Sequence, residues 1–268
     1  MNSQVITSRK NENIQDTVKL ISSAEYRHEQ RIFVAEGARL CRDAAISNMT
    51  LQKVFYTEQA EEKYPDYLRD ILNAAGQAYL IESHVAEALT STKNPQGIFC
   101  VCEMRSNTAD FPGITKSGHY IALESIQDPA NLGAVLRTAE ALGITGAVLA
   151  GNCCDVYSPK VLRASMGAVF RLPFTIAPSM EQAVRQLNAI GFSTYAAVPA
   201  TNAERITNIS FSKPSVIVVG NEGNGLTQEA INACFAKVTI PMLGRAESLN
   251  AASSAAILMW EMMRSLSK

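Results

Sequence analysis

Residues 214–235 read PSVIVVGNEGNGLTQEAINACF, and this stretch decides the fold. It opens with a continuous run of apolar residues, which is typical of a strand buried on both faces of a parallel sheet. A turn with three glycines follows, and then a helical segment with Thr227 as its predicted N-cap. The stretch therefore predicts one strand–turn–helix unit of an α/β fold.

The same alternation of strands and helices continues through the whole segment from His119 to the C-terminus. Five or six strands joined by helices predict a mostly parallel sheet that is covered on both sides. Besides the run above, the predicted strands are HYIALESI (119–126), GAVLAG (146–151), FTIAP (174–178), STYAAVP (193–199) and KVTIPM (237–242). The predicted helices are Ala134–Leu142, a helix that starts at Ser158 and Pro159 and runs through Met166, Ser179–Ile190 and Ser248–Ser267.

The segment from Met1 to Asn107 is predicted to form a separate, smaller α/β unit, because short strands alternate with helices there as well. Residues 13–31 are polar and helix-compatible, RIFVAEG (31–37) and KVFYT (53–57) are strand-like, and QGIFCVCEM (96–104) is the strongest strand. The stretch Arg105–Ser117, which contains a proline and a glycine, is the best linker candidate. The predicted domains are therefore 1–107 and 118–268, with a linker over 108–117.

Composition supports a folded chain and limits its electrostatics. The 268 residues suggest about two domains, and 47% hydrophobic with 18% charged residues is too apolar for a disordered chain. The 24 Lys and Arg against 25 Asp and Glu give a formal net charge of −1. Residues 1–116 carry a net −2 and residues 117–268 a net +1. These values exclude a strongly basic, purely electrostatic nucleic-acid binder, although a local basic site stays open.

The cysteines and histidines form no metal or catalytic pattern. None of the six cysteines makes a C-x-x-C pair, and with three histidines no zinc spacing appears. No histidine is paired with a serine or cysteine in a recognisable arrangement, so nucleophilic catalysis has little support. The first ten residues are polar, and no stretch of 18 uncharged apolar residues suggests a membrane span. We expect a reduced, soluble, cytoplasmic protein without a metal.

Three loops follow apolar strands in the second half of the chain, at 127–133, 220–226 and 241–250. Ligands of open α/β sheets bind beyond the carboxyl ends of the strands, so these loops are expected to converge on one site. In the first loop, Asn131 lies near a helix start and Arg137 is close enough to reach the loop with its long side chain. The alternative is a capped surface helix with an Arg–Glu pair.

The second loop has the glycine spacing G-x-x-G-x-G, with Glu222 inside the turn. This spacing is neither the dinucleotide fingerprint nor a P-loop, and no lysine follows. An acid in the turn disfavours phosphate, so a ligand with an amine or ribose hydroxyls is a better fit. A glycine-rich turn without a ligand is the alternative.

The third loop leads into the C-terminal helix through Ser248, Leu249 and Asn250. The expected apolar stripe of this helix consists of Leu249, Ala252, Ala256, Met259 and Met263, with Trp260 on the apolar face. The stripe predicts either an intramolecular core or a dimer interface.

Taken in order, three stretches resemble the signature motifs of the SpoU-type (TrmH-like) RNA ribose 2′-O-methyltransferases of the SPOUT class. They are LESIQDPANLGAVLRTAEALG (123–143), VIVVGNEGNGLT (216–227) and TIPMLGRAESLNAASSAAILMWEM (239–262). The first half is similar to the small substrate-binding domain that often precedes this catalytic domain, through RIFVAEGARL, KVFYT and NPQGIFCVCEM. That second match is looser.

The resemblance implies a fold and a reaction. The fold is a parallel sheet whose C-terminal segment forms a deep trefoil knot, preceded by an L30e-like domain; true knots are almost absent elsewhere. The reaction is 2′-O-methylation of a ribose in ribosomal RNA with S-adenosylmethionine, by a homodimer that pairs through the C-terminal domain. Transfer RNA is the alternative substrate, and a non-catalytic RNA-binding or ribosome-assembly factor is the alternative function. A different nucleotide-binding enzyme is disfavoured by the glycine spacing.

The resemblance also assigns roles to residues. Its implied cofactor contacts are Gly220, Ile240, Met242, Gly244 and Leu249, and its implied catalytic residues are Arg137, Asn131, Glu222, Ser248 and Asn250. Since arginine normally stays protonated, we expect Arg137 to grip a phosphate and stabilise alkoxide charge, with action as a base left open. The expected RNA contacts are Arg27, Arg31 and Arg39, with Arg9, Lys10 and Arg42 as further candidates.

Overall fold

The computed structural model describes residues 4–264 except 91, 93–94, 106–116 and 201. The chain divides into two compact units. One consists of Met1–Arg105 with Asp155–Phe170, and the other of Ser106–Cys154 with Arg171–Lys268. The predicted linker over 108–117 lies outside the described residues, apart from its last position.

The first unit is built on a mixed five-stranded sheet in the order β1-β4-β3-β5-β2. Its elements are β1 (Gln4–Ile6), α1 (Glu12–Ser22), α2 (Ala24–Gln30), β2 (Ile32–Glu36), α3 (Ala38–Ile46), β3 (Leu51–Tyr56), α4 (Glu58–Lys63), α5 (Pro65–Ala74), β4 (Ala75–Ile81), α6 (Ser83–Leu89) and β5 (Ile98–Glu103). Strand β5 runs antiparallel to both β2 and β3, whereas β4 runs parallel to β1 and β3.

The helix predicted over residues 13–31 is divided in two at Ser23. The backbone of Ser23 is extended, and its hydroxyl accepts a hydrogen bond from the N–H of Tyr26 at 3.1 Å, which caps α2. Serine competes with helical hydrogen bonding and favours such caps, which is why the polar stretch does not form one continuous helix. Helix α1 buries Ile14 and Leu20 in the core of the unit.

The second unit is built on a seven-stranded sheet in the order β10-β12-β9-β11-β6-β7-β8, in which every neighbouring pair is parallel. Its elements are β6 (His119–Glu124), α7 (Pro129–Ala141), β7 (Gly146–Ala150), β8 (Phe174–Ala177), α9 (Met180–Ala189), β9 (Ser193–Ala197), β10 (Glu204–Arg205), β11 (Ser215–Val219), α10 (Gln228–Ala233), β12 (Ala236–Thr239) and α11 (Ala251–Arg264). The prediction of a parallel α/β sheet is confirmed. The edge strand β10 was missed because two polar residues carry no strand pattern.

Strand β11 confirms the prediction that residues 214–235 begin with a strand buried on both faces. All of its residues are buried, and β6 and β9 flank it on its two edges. Thr227 caps α10 by accepting a hydrogen bond from the N–H of Ala230 at 3.3 Å, as predicted. Continuous apolar sequence therefore marks an interior strand of this sheet.

Helix α7 begins five residues before the predicted start at Ala134. Asp128 accepts a hydrogen bond from the N–H of Ala130 at 2.8 Å, and Pro129 occupies the first helical position. Proline at that position costs no hydrogen bond, because the first N–H groups of a helix lack intrahelical partners. Asn131 consequently lies inside the first turn of α7.

The apolar stripe predicted for the C-terminal helix was wrong in register. Helix α11 starts only at Ala251, after Asn250 accepts a hydrogen bond from the N–H of Ala252 at 2.9 Å. The buried residues of the helix are Ala251, Ala255, Leu258, Met259 and Met262, so only Met259 belongs to the predicted set. Trp260 is 57% exposed and does not lie on the buried face. Because the helix is apolar on more than one side, its sequence alone does not fix which side is buried.

A short segment of the second half belongs to the first unit. Asp155–Phe170, which includes α8 (Pro159–Ser165), clusters with the N-terminal residues. The ring of Phe33 in β2 stacks on Tyr157 at 4.6 Å and on Phe170 at 6.0 Å between centroids. The buried face of β2 thus needs this segment for its packing, although residues 118–268 were predicted as one domain. Among the described helices, none is long and apolar enough to cross a bilayer.

Candidate functional site

A cavity of about 400 Å³ opens at the carboxyl ends of three adjacent strands of the second unit. Its lining includes residues that follow β9, β11 and β12, and residues at the start of α11. Strands β6, β7 and β8 extend to one edge of the sheet and β9, β12 and β10 to the other. The cavity therefore lies beside the point where the strand order reverses, which is the usual ligand position in open α/β sheets.

The loop after β11 folds tightly on itself and forms one wall of the cavity. Asn221 and Gly225 exchange two backbone hydrogen bonds, with N···O distances of 3.0 and 2.9 Å. A Cβ at Gly220 would lie 2.3 Å from the carbonyl carbon of Gly225, so no side chain fits at this position. The backbone of Gly220 therefore packs directly against that of Gly225, and Gly220 also lines the cavity.

Both ends of this loop are tied to the end of β6. The side-chain amide of Asn221 donates to the carbonyl oxygen of Ser125 at 2.9 Å. The carboxylate of Glu124, which is only 5% exposed, accepts from the N–H of Thr227 at 2.8 Å and from its hydroxyl at 2.9 Å. The sequence reasoning missed Glu124 and Asn221; the signal for Glu124 was an acid at the end of an otherwise apolar strand. These anchors give the loop a fixed shape before any ligand binds.

The three predicted loops meet through a chain of side-chain hydrogen bonds. The amide nitrogen of Asn250 donates to the amide oxygen of Asn131 at 3.0 Å, and the amide nitrogen of Asn131 donates to Glu222 Oε1 at 2.6 Å. Asn131 is buried, at 8% exposure. Since its oxygen and nitrogen are both engaged, its amide can take only one orientation.

The charges around the cavity are of one sign. Glu222 and Glu247 belong to the lining, and none of its described residues is a lysine or an arginine. A site of this kind repels phosphate groups and favours a ligand with positive charge. Among the described residues, no cluster of His, Cys, Asp and Glu is placed to hold a metal ion.

Two family models match this chain. Residues 118–260 match the model of the SpoU rRNA Methylase family, and residues 11–100 match that of an MRM3-like substrate binding domain. The chain belongs to the SpoU rRNA methylase family.

Three relatives of this SpoU family member illustrate the likeness. The Bacillus subtilis protein named 23S rRNA (guanosine(2553)-2′-O)-methyltransferase RlmP is 29% identical over 257 residues, covering 96% of this chain and 98% of its own. The crystal structure of AdoMet-bound rRNA methyltransferase from Sinorhizobium meliloti is 30% identical with a TM-score of 0.88, and the match covers 98% of both chains. The crystal structure of the SpoU methyltransferase AviRb from Streptomyces viridochromogenes, in complex with AdoMet, is 25% identical to this chain. Its TM-score is 0.86, and the match covers 97% of this chain and 99% of AviRb.

The residues expected to bind the cofactor lie mostly at the cavity of this SpoU family member. Gly220, Ile240, Met242 and Leu249 contribute to its lining, as do Glu222 and Ser248 from the expected catalytic set. Gly244 is exposed and stands outside the lining.

Arg137 lies apart from the hydrogen-bonded asparagines. It is exposed on α7, six residues after Asn131, which corresponds to about 9 Å along the helix axis. Within the described part of the chain it has no hydrogen-bond or ion-pair partner. Its guanidinium is therefore available to a ligand outside this chain.

The expected RNA contact at Arg27 is contradicted by the structure. Arg27 is 4% exposed, and its Nε and Nη2 donate to Asp155 Oδ2 at 2.8 and 2.7 Å. Its Nη1 donates to the carbonyl oxygens of Leu20 at 2.6 Å and Ile21 at 3.1 Å. A guanidinium enclosed in this way cannot reach an RNA phosphate, so Arg27 stabilises the first unit.

The other basic candidates are exposed to different degrees and differ in their partners. Arg31 ends α2 in the left-handed conformation and donates to the carbonyl oxygen of Arg105 at 3.0 Å. Arg39 is exposed in the first turn of α3, and Lys10 is also exposed. Arg9 and Arg42 are paired with carboxylates, Glu87 at 2.7 Å and Asp70 at 2.6 Å respectively.

Proposed function

We propose that this protein transfers the methyl group of S-adenosylmethionine to a ribose 2′-hydroxyl of ribosomal RNA. The observation that carries the proposal is the cavity lining, in which Glu222 and Glu247 are the only charged residues among those that the structure describes. S-adenosylmethionine matches such a lining because it carries a sulfonium and an ammonium group. The Bacillus and Sinorhizobium relatives are named for rRNA methylation, and the Sinorhizobium structure is described as AdoMet-bound.

The residues around the cavity fit this methyl donor. A volume of about 400 Å³ suits one small molecule, since such sites typically measure roughly 300–1,000 Å³. Ile240, Met242 and Leu249 would hold the apolar parts of the molecule, and the backbone at Gly220 would approach it closely. When bound, S-adenosylmethionine supplies an activated methyl group on a sulfonium centre.

The remaining chemistry falls to side chains near the acceptor. A ribose 2′-hydroxyl is a weak nucleophile at neutral pH, so the alkoxide charge that develops while its proton passes to solvent must be stabilised. We assign that role, together with grip on an adjacent phosphate, to Arg137, because the guanidinium of an arginine presents several N–H donors to an anion. The chain Asn250–Asn131–Glu222 would hold the motif loops rigid and orient the acceptor, with Ser248 at the edge of the site. Fixed placement of acceptor and methyl group accounts for much of the rate.

We also propose a trefoil knot in the C-terminal segment, an L30e-like first unit and a homodimer. The knot and the L30e-like unit would follow from family membership. For a homodimer, support comes from α11, where Ile257 is 40% and Trp260 57% exposed, three residues apart on one face. Exposed apolar side chains grouped in this way are typical of protein interfaces. A reducing, cytoplasmic location would agree with six cysteines that form no disulfide.

The test combines cofactor binding with methyl transfer. Large-subunit rRNA from cells lacking the gene is incubated with protein and labelled S-adenosylmethionine, and the modified nucleotide is mapped. Arg137→Ala should lower kcat by roughly 100- to 1,000-fold, as expected when one stabilising donor is removed, and should leave the Kd for S-adenosylmethionine unchanged. Arg185→Ala removes an arginine that is also exposed on the second unit, and this control should retain full activity.

Three results would overturn parts of the proposal. Full activity of Arg137→Ala would exclude the role given to that side chain. Calorimetry that detects no S-adenosylmethionine binding at millimolar concentration would favour a non-catalytic RNA-binding or ribosome-assembly factor. Label in tRNA instead of rRNA would correct the substrate class.

A further inference from the structure

Helix α8 brings two cations from the second half of the sequence into the first unit. Lys160 and Arg163 are three residues apart and therefore lie on one face of the helix. Both fall within residues 118–260, the stretch that matches the methylase family model, whereas the structure groups them with the N-terminal residues. Lys160 is exposed. The first unit thus carries basic residues that its own N-terminal sequence does not encode.

Glu36 fixes the position of α8 next to the end of β2. Arg163 Nη1 lies 3.5 Å from Glu36 Oε2, and the Glu36 side chain is only 10% exposed. The other oxygen of this carboxylate accepts hydrogen bonds from the hydroxyls of Thr90 and Thr92. Because the Glu36 side chain is enclosed and already engaged by these hydroxyls, it holds Arg163 in place and presents little negative charge to solvent.

Arg39 adds a third cation to the same region. It follows Glu36 by three residues, so the two Cα atoms lie within about 10 Å of each other. The turn between them is held by Gln96, whose side-chain oxygen accepts from the N–H of Ala38 at 2.8 Å. Arg39 is exposed and has no ion-pair partner among the residues that the structure describes.

The charge of this region contrasts with that of α4 and α5. Arg39, Lys160 and Arg163, together called the basic face below, oppose one carboxylate, which leaves a net charge of +2. Residues 58–70 contain five carboxylates and two cations, a net charge of −3. An RNA phosphate backbone is attracted to the first surface and repelled by the second.

We propose that the basic face contacts the phosphate backbone of the RNA substrate. This inference rests on the proposed function and adds to it the surface by which the first unit holds RNA. It also explains how a chain with a net charge of −1 binds a polyanion, since a few placed cations suffice for modest affinity. The segment Asp155–Phe170 would then contribute to substrate binding as well as to the packing of the first unit.

The test measures how RNA binding depends on salt. Full-length protein is titrated against large-subunit rRNA from cells lacking the gene, at several KCl concentrations and without S-adenosylmethionine. The double variant Arg39→Ala/Lys160→Ala leaves the Arg163–Glu36 pair in place and should keep the wild-type thermal stability. Its plot of log affinity against log salt should be less steep by about 1.4–1.8, since each phosphate contact contributes about 0.7–0.9.

The matched control is Lys63→Ala/Arg69→Ala, which removes the same charge from the acidic surface of α4 and α5. It should leave the salt dependence unchanged. In the methylation assay, the double variant of the basic face should raise the KM for RNA and leave kcat and the Kd for S-adenosylmethionine unchanged. The single variant Lys160→Arg, in which Arg39 is unchanged, keeps the charge and should bind RNA as tightly as the wild type.

The outcomes separate this proposal from the proposed function. Equal salt dependence in wild type and the basic-face variant would overturn the proposal, as would an equal loss in the control variant. Absence of RNA binding by the wild type would also overturn it. If the salt dependence falls as expected but no RNA is methylated, the basic face stands and the catalytic assignment fails.

Discussion

Removal of the Asp155 carboxylate should destabilise the first unit strongly. Asp155→Ala leaves the Arg27 guanidinium 4% exposed with no anion, and two of its N–H groups lose their acceptor. Breaking a buried ion pair in this way costs about 3–5 kcal/mol, because the remaining charge is buried and uncompensated. That loss is a large part of a typical free energy of unfolding, roughly 5–15 kcal/mol.

The effect is measurable as a shift in thermal unfolding followed by circular dichroism. For a protein of this size each kcal/mol lowers Tm by about 2–4 °C, so Asp155→Ala should lower it by about 6–20 °C. The control is Glu87→Ala, which breaks the Arg9–Glu87 pair, whose side chains are 50% and 65% exposed. An exposed pair contributes about 0–1 kcal/mol, so this variant should remain within a few degrees of wild type.

A double variant tests whether the buried charge is the cause. Arg27→Met/Asp155→Ala removes the cation as well as the carboxylate and should recover a substantial part of the lost stability, because no charge is then left unpaired. If Asp155→Ala costs no more than Glu87→Ala, or if the double variant is less stable than Asp155→Ala, the reasoning about the buried pair is refuted.

Three further predictions concern the second unit. Gly220→Ala places a Cβ against the backbone of Gly225 and should weaken S-adenosylmethionine binding by about 100-fold or more in calorimetry; unchanged affinity would mean that the loop is not rigid. Asn131→Asp replaces the donor 2.6 Å from Glu222 by an acceptor, so this hydrogen bond between the loops is lost. Methyl transfer by that variant should therefore fall below that of the wild type, and unchanged methyl transfer would contradict this. Partial burial raises the pKa of the Cys234 thiol to about 12, so it stays protonated at pH 8 and iodoacetamide should label it more slowly in the native than in the unfolded protein; equal labelling rates would contradict the raised pKa.

Much of the local structure was predictable from the sequence. The apolar run of β11 predicted a buried strand, and Thr227 was predicted to cap the following helix; both are confirmed. The helix of Ser158 and Pro159 also forms, as Pro159–Ser165. Such features depend on periodicity and on contacts within a few residues, which the order of amino acids encodes directly.

The register of α11 and the anchoring of the glycine-rich loop were not predictable in this way. Helix α11 carries apolar residues on several sides, and only packing selects the side on which Leu258 and Met262 are buried. The bonds of Glu124 to Thr227 join residues 103 positions apart, and no local pattern specifies such a pair.

The sequence by itself determined the α/β class, the parallel sheet and the three loops that carry the motifs. Only the tertiary structure decided that Arg27 is an interior residue paired with Asp155, and that α8 lies in the first unit with Lys160 exposed. The physical reason is that burial is a property of the assembled chain. The residues next to an arginine in the sequence do not reveal whether it lies at the surface or is paired with a carboxylate 128 residues away. Only the folded structure distinguishes the two cases.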